Sequence, residues 1–464
     1  MVSQPQPGEI LSGRLDILSA WIEGQMAYAD LPGLSIGIVH DQELIWAKGF
    51  GVADREKKTP ATPQTLYRIA SNTKVFTAMA IMQLRDAGKL GLDDPVQKHL
   101  PWFKLRKFYP GARPITIRHL LTHTAGLPRE ATGVYFADGN FPTLEQVQEG
   151  LAKQDAVLLP ETKWKYSNLG LGLAGAIVAT VSGERYEDYV RRHVLEPLGM
   201  TQTLVEAPDP KNPRLATGYG RRLPPGRREP NMFTDMKGIA GAGNMSSTVE
   251  DMARFCMLQF RSGPAGGAQI LSGDTLKEMQ RVHWMHDWKI GWGLGFKVIR
   301  QNERTYFAHG GWVSGYRTQF QCDPETKMAA VVLTNADDGN PDYYIEGVFK
   351  WVAPHINPAA VREMKSKSAE IPAQFRPYIG RYRDSWADMQ VLSIEGRLIA
   401  IHPSLADLFP FLYRLEPIGE HRFRIDVDDI AGPRGEIMHF ELDSSGACNV
   451  IHTSARQLRR VNNW

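Results

Sequence analysis

The sequence predicts a mixed α/β domain followed by a small all-β domain. Three observations carry this. The chain has 464 residues, too many for one ordinary core. Up to about residue 352, strand-like and helix-like segments are interspersed. After the polar, proline-bearing stretch "APHINPAAVREMKSKSAEIPAQF" the pattern changes to short β-rich runs separated by turn signals. The expected divisions are a first domain at 1–353, a linker at 354–370 and an all-β domain at 371–464.

The elements follow in order. Residues 11–28 have helical periodicity. "PGLSIGIVHDQELIWAKGFGVAD" reads as two strands, 34–40 and 43–49, joined by a tight turn at Asp41-Gln42. Residues 71–87 form a strong helix that stops at Gly88. "LDDPVQKHLP" and "ITIRHLLTHTAGL" suggest loops and short helices. Further helices are expected at 169–182, at 186–195 and after Ser247, with another at 344–352. The stretch 214–230 is rich in Pro, Gly and Arg and reads as a long irregular loop. "GWGLGFKVIR", "RTYFAHGG", "YRTQFQCD" and "MAAVVLTN" are strands. The tail runs, such as "MQVLSIEG", "HRFRIDV" and "IMHFELDSSG", argue a sandwich or small barrel of about 95 residues.

Composition narrows the function classes. With 42% hydrophobic and 23% charged residues the chain is ordinary globular protein, and a net charge of +3 demands neither nucleic acid nor a membrane as partner. No apolar run approaches the ~20 residues of a membrane-spanning helix. "MVSQPQPGEILSGRLDILSAWIEG" lacks a basic segment followed by an apolar one, so it does not read as a secretory signal, although a processed form would look the same. Cys256, Cys322 and Cys448 are scattered and contain no Cys-x-x-Cys pair. A disulfide framework or zinc ribbon is not expected, and reduced thiols in the cytoplasm fit best.

Two serine motifs compete. Gly33-Leu34-Ser35-Ile36-Gly37 matches G-x-S-x-G, but the residues after it continue as a strand rather than a helix, so Ser35 belongs to one strand face. Ser71-Asn72-Thr73-Lys74 instead opens a helix. There Ser71 lies near unsatisfied backbone N–H groups that can hold an oxyanion, and Lys74 lies one turn on, on the same face. Partial desolvation would lower the pKa of Lys74 and make it a base. An N-capping serine followed by a surface lysine would read the same way. "WKYSNLGLGLAG" adds Tyr166 and Asn168, two apart before an apolar helix, where a phenol can relay a proton and an amide can bind a carbonyl; Asn168 as a plain N-cap is the alternative. "FAHGGWVSGY" places His309-Gly310-Gly311 at a strand end, where glycines permit close approach of a substrate backbone, or simply make a bulge.

Together, Ser71-x-x-Lys74, Tyr166-x-Asn168 and His309-x-Gly311 resemble the three motifs of the serine β-lactamase and penicillin-binding-protein superfamily, in particular its class C-like branch with D-alanyl-D-alanine carboxypeptidase, D-aminopeptidase and family VIII carboxylesterase relatives. "GFGVADREKKTPATPQTLYRIASNTK", "ITIRHLLTHTAGLP" and "AGAGNMSSTVEDMARF" share in the likeness, which covers about residues 10 to 350. The tail resembles the lipocalin-like domain that some members carry. The resemblance implies an antiparallel sheet flanked by helices, packed on an all-helical subdomain, with a lipocalin-like barrel after it. It implies that Ser71 forms an acyl-enzyme, that Lys74 and Tyr166 share the base role, and that Asn168, His309 and Gly311 contact substrate. The oxyanion would rest on the backbone N–H groups of Ser71 and Trp312. No metal or cofactor is implied.

Histidine at position 309 is typical of the D-alanyl carboxypeptidase and D-aminopeptidase relatives, which favours a peptide or amide substrate over a β-lactam; ester cleavage is common across the branch. The expected partner is therefore a small-molecule ester, amide or peptide. Acyl transfer to an amine or alcohol, weak β-lactamase activity, and a ligand-occupied sensory module are the alternatives. Glu161 stands where the family usually has glycine. Arg221, Arg222, Arg227 and Arg228 read as a solvated loop or as a cationic overhang of the cleft. His119 and His123 share a face at i, i+4 without an evident third ligand and read as structural.

Overall fold

The computed structural model describes residues 6–134, 136, 138–224, 226–263, 265–301, 303–366, 371–429 and 432–462. The chain forms two compact units. One is Pro32–Ile345; the other combines Met1–Leu31 with Glu346–Trp464. The expected linker, 354–370, contains a helix at Pro358–Ser366, and its last residues, 367–370, lie outside the described residues.

The first unit is built on a nine-stranded sheet. In chain order its short and long strands are β1 (Gly33–His40), β2 (Glu43–Asp54) and β3 (Thr59–Pro60). A separate pair, β4 (Tyr67–Arg68) and β5 (Ser246–Ser247), follows. The rest of the sheet is β6 (Trp284–Met285), β7 (Ile290–Trp292), β8 (Lys297–Gln301), β9 (Arg304–Val313), β10 (Tyr316–Asp323) and β11 (Met328–Thr334). The strand order is β3-β2-β1-β11-β10-β9-β8-β7-β6, antiparallel throughout. β1 and β11 lie side by side, and their sequences "GLSIGIVH" and "MAAVVLT" are apolar on both faces because both faces are buried. The helix Val249–Gln259 packs against this centre.

Between β4 and β6 lie the helices that carry the first two motifs, while the third, His309-Gly310-Gly311, lies on β9. The helix Thr73–Asp86 is buried nearly all round, which is why its sequence shows little polar face. It packs against the helix Asn168–Ser182, "NLGLGLAGAIVATVS", and a 3₁₀ segment, Lys237–Ala242. Glycines make this contact possible. A Cβ on Gly172 would lie 2.9 Å from the Ile239 side chain, and one on Gly241 would lie 2.9 Å from the Leu171 carbonyl oxygen. The expected helix 186–195 begins as α-helix at Tyr186–Val190 and widens to a π-turn at Arg191–Leu195. Helices at Leu144–Leu151 and Gly273–Gln280 were not anticipated, although Thr143 and Ser272 cap them and their signals stand in the sequence.

The second unit contains a closed barrel of eight strands: β12 (Gly380–Arg383), β13 (Asp388–Ile394), β14 (Arg397–Ile401), β15 (Tyr413–Gly419), β16 (Arg422–Asp426), β17 (Ile437–Leu442), β18 (Cys448–His452) and β19 (Gln457–Val461). Each pairs antiparallel with the next, and β19 closes onto β12. The tail is thus the barrel rather than the sandwich. Phe423 and Ile425 point inward while Arg422 and Arg424 point out, and Tyr382, Leu398, Met438 and Phe440 help to fill the interior. The helix Pro7–Ala29 belongs to this unit. It packs against Pro358–Ser366, Trp21 meets Trp351 edge-on at 4.7 Å, and the Trp21 Nε1–H donates to the Leu405 carbonyl at 3.0 Å.

Candidate active site

β4 leads straight into the Ser71 turn. Ala70 is held at φ +47°, a left-handed conformation costing about 1–2 kcal/mol for a residue with a Cβ. Ser71 then sits in a single 3₁₀ turn, Ala70–Asn72, which runs into the helix Thr73–Asp86. The turn is pinned to the sheet. Thr318 Oγ1 donates to the Ile69 carbonyl at 3.1 Å, and Asn72 Nδ2 donates to Thr318 Oγ1 at 3.1 Å. Gly311 of β9 passes so close that a Cβ there would lie 2.1 Å from the Ile69 oxygen. The sequence assigned this glycine to a substrate's approach. Gly311 does line the cavity described below, but its missing side chain makes room for the protein's own backbone. Trp312 follows it on β9, beside the Ser71 turn.

Lys74 is fully buried. Its Nζ lies 2.9 Å from Ser71 Oγ, 2.8 Å from Asn168 Oδ1 and 2.6 Å from the Ala242 carbonyl oxygen. Burial pushes this amine well below the ordinary lysine range; the charge of Glu130 opposes the shift and that of Arg129 adds to it. On the other side of Ser71, the Tyr166 hydroxyl donates to Ser71 Oγ at 2.8 Å. Burial raises the Tyr166 pKa, so this phenol keeps its proton. Lys74 Nζ also lies 4.9 Å from the centre of the Tyr166 ring.

This geometry has a protonation logic. The Ala242 carbonyl and Asn168 Oδ1 can only accept hydrogen bonds. A neutral Lys74 has two N–H bonds and one lone pair. With both N–H bonds used by those acceptors, the lone pair is left facing Ser71 Oγ. The site can therefore take the proton from the serine hydroxyl, while Tyr166 donates to the same oxygen.

Asn168 is the first residue of its helix, not its cap. Ser167 caps it instead, accepting from Gly170 N at 2.9 Å. This frees the Asn168 amide, whose Nδ2 donates to Glu130 Oε1 at 2.7 Å. His309 lies on β9, 3% exposed, with Nδ1 2.7 Å from the Gly310 carbonyl oxygen. That carbonyl accepts only, so Nδ1 carries the hydrogen. Burial, then the Lys74 charge, lowers the His309 pKa to about 3, so the ring is neutral at physiological pH and, among the described residues, its buried Nε2 acceptor has no hydrogen-bond partner.

A cavity of about 770 Å³ opens beside Ser71. Trp164 and Trp292 stack at 4.9 Å on one wall, next to Tyr166 and His123, whose rings lie 4.3 Å apart. His123 is buried, held neutral by desolvation, and its Nδ1 accepts from Ser167 N at 3.1 Å. On the rim, Trp312 is 58% exposed, Arg317 lies 4.2 Å over its ring, and its Nε1–H donates to Asp337 at 3.2 Å.

Other sequence candidates fall elsewhere. Ser35 is buried in β1, bonded to the Thr62 carbonyl at 2.8 Å and the Tyr67 hydroxyl at 2.9 Å. Among the described residues, none of Arg221, Arg222, Arg227 and Arg228 lines the cavity; Arg228 is buried against Asp338 and Arg227 pairs with Glu229. His119 pairs with Glu161 at 3.1 Å rather than joining His123, and among the described residues no group of three or more His, Cys, Asp or Glu could hold a metal ion. Glu161 has φ +59°, which explains why glycine suits its position. The sequence did not point to Glu130, Ala242, Trp164 or Trp292. The first is an ordinary loop acid in sequence, the second acts through its backbone, and the tryptophans meet only through the fold.

Comparison with known proteins places the chain. The family model described as Beta-lactamase matches residues 18–352. The chain is 29% identical over 321 residues to Protein flp of Staphylococcus aureus (strain MW2), covering 68% of this chain and 61% of that protein. It is 30% identical over 325 residues to Beta-lactamase-like protein 2 of Dictyostelium discoideum, covering 68% and 58%. The match thus spans about three fifths of the length of these curated relatives. Among solved structures it is similar to the octameric penicillin-binding protein homologue from Pyrococcus abyssi, with a TM-score of 0.63 and 26% identity over 96% of this chain and 99% of that one. A penicillin-binding protein from Bacillus halodurans shares the fold at a TM-score of 0.60 and 24% identity, over 72% and 98%.

Proposed function

The chain belongs to the beta-lactamase family, with a β-lactamase/transpeptidase-like α/β fold and a separate closed eight-stranded barrel of lipocalin-like kind, and we propose that it is a serine hydrolase that cleaves an ester or a peptide-like amide through an acyl-enzyme on Ser71. The observation that carries this is the position of Ser71 Oγ, 2.9 Å from Lys74 Nζ and 2.8 Å from the Tyr166 hydroxyl.

The steps follow from the protonation logic. Neutral Lys74 takes the hydroxyl proton of Ser71 as Oγ bonds to the substrate carbonyl carbon. The carbonyl oxygen becomes an oxyanion, held by the backbone N–H groups of Ser71 and Trp312. The carbon–leaving-group bond then breaks. Tyr166 gives its proton to the leaving oxygen or nitrogen and recovers one from the Lys74 ammonium. Water attacks the acyl carbon in the second half and loses one proton to the same pair, which returns it to Ser71 Oγ as the acyl carbon–Oγ bond breaks and the acid product leaves. Burial favours this division of labour. It makes the amine a better base at neutral pH and keeps the phenol protonated, so Tyr166 serves as relay rather than resting base.

The stacked Trp164–Trp292 wall and neutral His309 favour an uncharged or apolar group next to the scissile bond. Histidine at position 309 is the sequence feature that favours a peptide-like substrate with a D-residue. The test is turnover of a p-nitrophenyl ester and of D-alanine p-nitroanilide by wild type and Ser71→Ala. Ser71-dependent turnover supports the reading, and the ester-to-anilide ratio divides esterase from peptidase. Equal background rates for wild type and variant on both substrates would overturn it. Adding an amine acceptor distinguishes hydrolysis from acyl transfer by the product formed.

A further inference from the structure

Glu130 lies outside the three motifs, yet it is hydrogen-bonded to one of them. Its Oε1 accepts from Asn168 Nδ2 at 2.7 Å, while Asn168 Oδ1 faces Lys74 Nζ at 2.8 Å. An asparagine amide can flip, exchanging its oxygen and nitrogen ends. If it did, NH₂ would face the Lys74 N–H and the carbonyl oxygen would face the Glu130 carboxylate, donor against donor and acceptor against acceptor. A carboxylate at Glu130 therefore selects one orientation. Among the described residues the other Glu130 oxygen, Oε2, is buried with no hydrogen-bond partner, so the carboxyl group carries a desolvation cost that raises its pKa. Arg129 Nε, at 3.3 Å, is its one ion-pair contact among the described residues.

We propose that Glu130 is a positioning residue, holding the Asn168 amide oxygen on Lys74 so that the amine's remaining lone pair is directed at Ser71 Oγ. This rests on the acyl-enzyme reading of Ser71. Without the clamp, only the Lys74 N–H still favours this Asn168 orientation, so the acceptor is held less firmly and the amine's lone pair is less strictly confined to the serine. Glu130 touches no reacting atom in this account. It acts through Asn168.

The same carboxylate has an electrostatic consequence. The titratable and charged groups around Lys74 are Tyr166, His123, His309, Arg129 and Glu130. The two histidines are neutral and Arg129 is cationic; burial raises the Glu130 pKa against the Asn168 hydrogen bond and the Arg129 charge, and once ionised Glu130 is the group that favours the Lys74 ammonium. Removing its charge makes Lys74 easier to deprotonate. The acid limb of the pH profile then moves to lower pH, a change that loss of packing alone does not produce.

The experiment compares wild type, Glu130→Gln and Glu130→Ala, with Ser71→Ala as the blank. p-Nitrophenyl butyrate is the probe, kcat/KM is followed from pH 5 to 9, and a thermal melt of each protein checks folding. Glu130→Gln keeps an acceptor for Asn168 and loses the charge. It should retain kcat/KM within about fivefold at its optimum, with the acid limb displaced to lower pH. Glu130→Ala loses both and should fall at least about thirtyfold in kcat at an unchanged melting temperature. If wild type shows no Ser71-dependent turnover, the acyl-enzyme reading itself fails. If wild type turns over and both variants match it in rate and pH profile, the positioning role is wrong while the acyl-enzyme reading stands. If Glu130→Ala melts early, Glu130→Gln decides, because an unmoved acid limb in that folded variant overturns the proposal.

Discussion

Lys74 Nζ lies 2.6 Å from the carbonyl oxygen of Ala242, a residue 168 positions away in sequence. This contact exists because the 3₁₀ segment Lys237–Ala242 packs flush against the helix Asn168–Ser182 through Gly241. Gly241→Val would force a branched side chain against the Leu171 carbonyl and the Gly175 backbone, 2.9 and 3.2 Å from the first added atom. The segment must move outward and carry the Ala242 oxygen off Lys74. The expected cost is about 1–3 kcal/mol of stability. In the fraction that remains folded, esterase kcat should drop at least tenfold. Urea denaturation alongside steady-state kinetics checks both.

Gly311→Ala tests the other side of the site. The added Cβ meets the Ile69 oxygen at 2.1 Å and Thr318 Oγ1 at 2.4 Å. β9 and the Ser71 turn must separate, which moves the Trp312 amide away from Ser71. The variant should fold with a melting temperature several degrees lower and lose about two orders of magnitude in kcat/KM, the range for removing one oxyanion donor. Wild-type kinetics in a folded Gly311→Ala protein would remove Trp312 from the account.

Acid stability should report His309. Its pKa falls from the ordinary 6.5 to about 3 through burial and the Lys74 charge. A histidine with a depressed folded pKa contributes stability that is complete above pH 6.5 and is lost as pH falls toward 3, because only the unfolded chain takes up the proton. Unfolding free energy measured between pH 7.5 and 4 should therefore decline for wild type. His309→Gln should decline less steeply over that window, with the buried His123 accounting for part of the remaining slope. Parallel slopes would mean that the His309 ring is charged in the folded protein.

Glu161 holds φ +59° and pairs with His119 across a half-exposed contact. A surface pair of this kind is worth about 0–1 kcal/mol, while a left-handed conformation costs a residue with a Cβ about 1–2 kcal/mol. Glu161→Gly should leave stability unchanged or raise it by up to about 1 kcal/mol, with activity unaffected. Chemical denaturation checks the sign.

The legible parts of the molecule were those written in local spacing. Ser71 and Lys74 fall one turn apart whichever helix type begins there, so their meeting was readable from four residues. The "HDQE" turn gave the hairpin in the same way, while the short tail strands left sandwich and barrel open and only the family resemblance pointed to the closed barrel. Ser35 shows why context mattered, since its motif is intact but its hydroxyl is spent on Thr62 and Tyr67 inside a sheet. What remained hidden depends on distant contacts. The Ala242 acceptor is a backbone carbonyl and leaves no trace in residue type. Glu130 has meaning only once Asn168 is rotated toward it, and the Trp164–Trp292 stack joins residues 128 positions apart.

Whether Ser71 is an activated nucleophile is read most directly by intact-protein mass spectrometry after incubation with a fluorophosphonate. One adduct per wild-type chain is expected, mapped to Ser71, absent in Ser71→Ala and formed at least about a hundredfold more slowly in Lys74→Ala. A folded wild-type protein that gains no adduct, or gains it equally in Ser71→Ala, would contradict this role for Ser71.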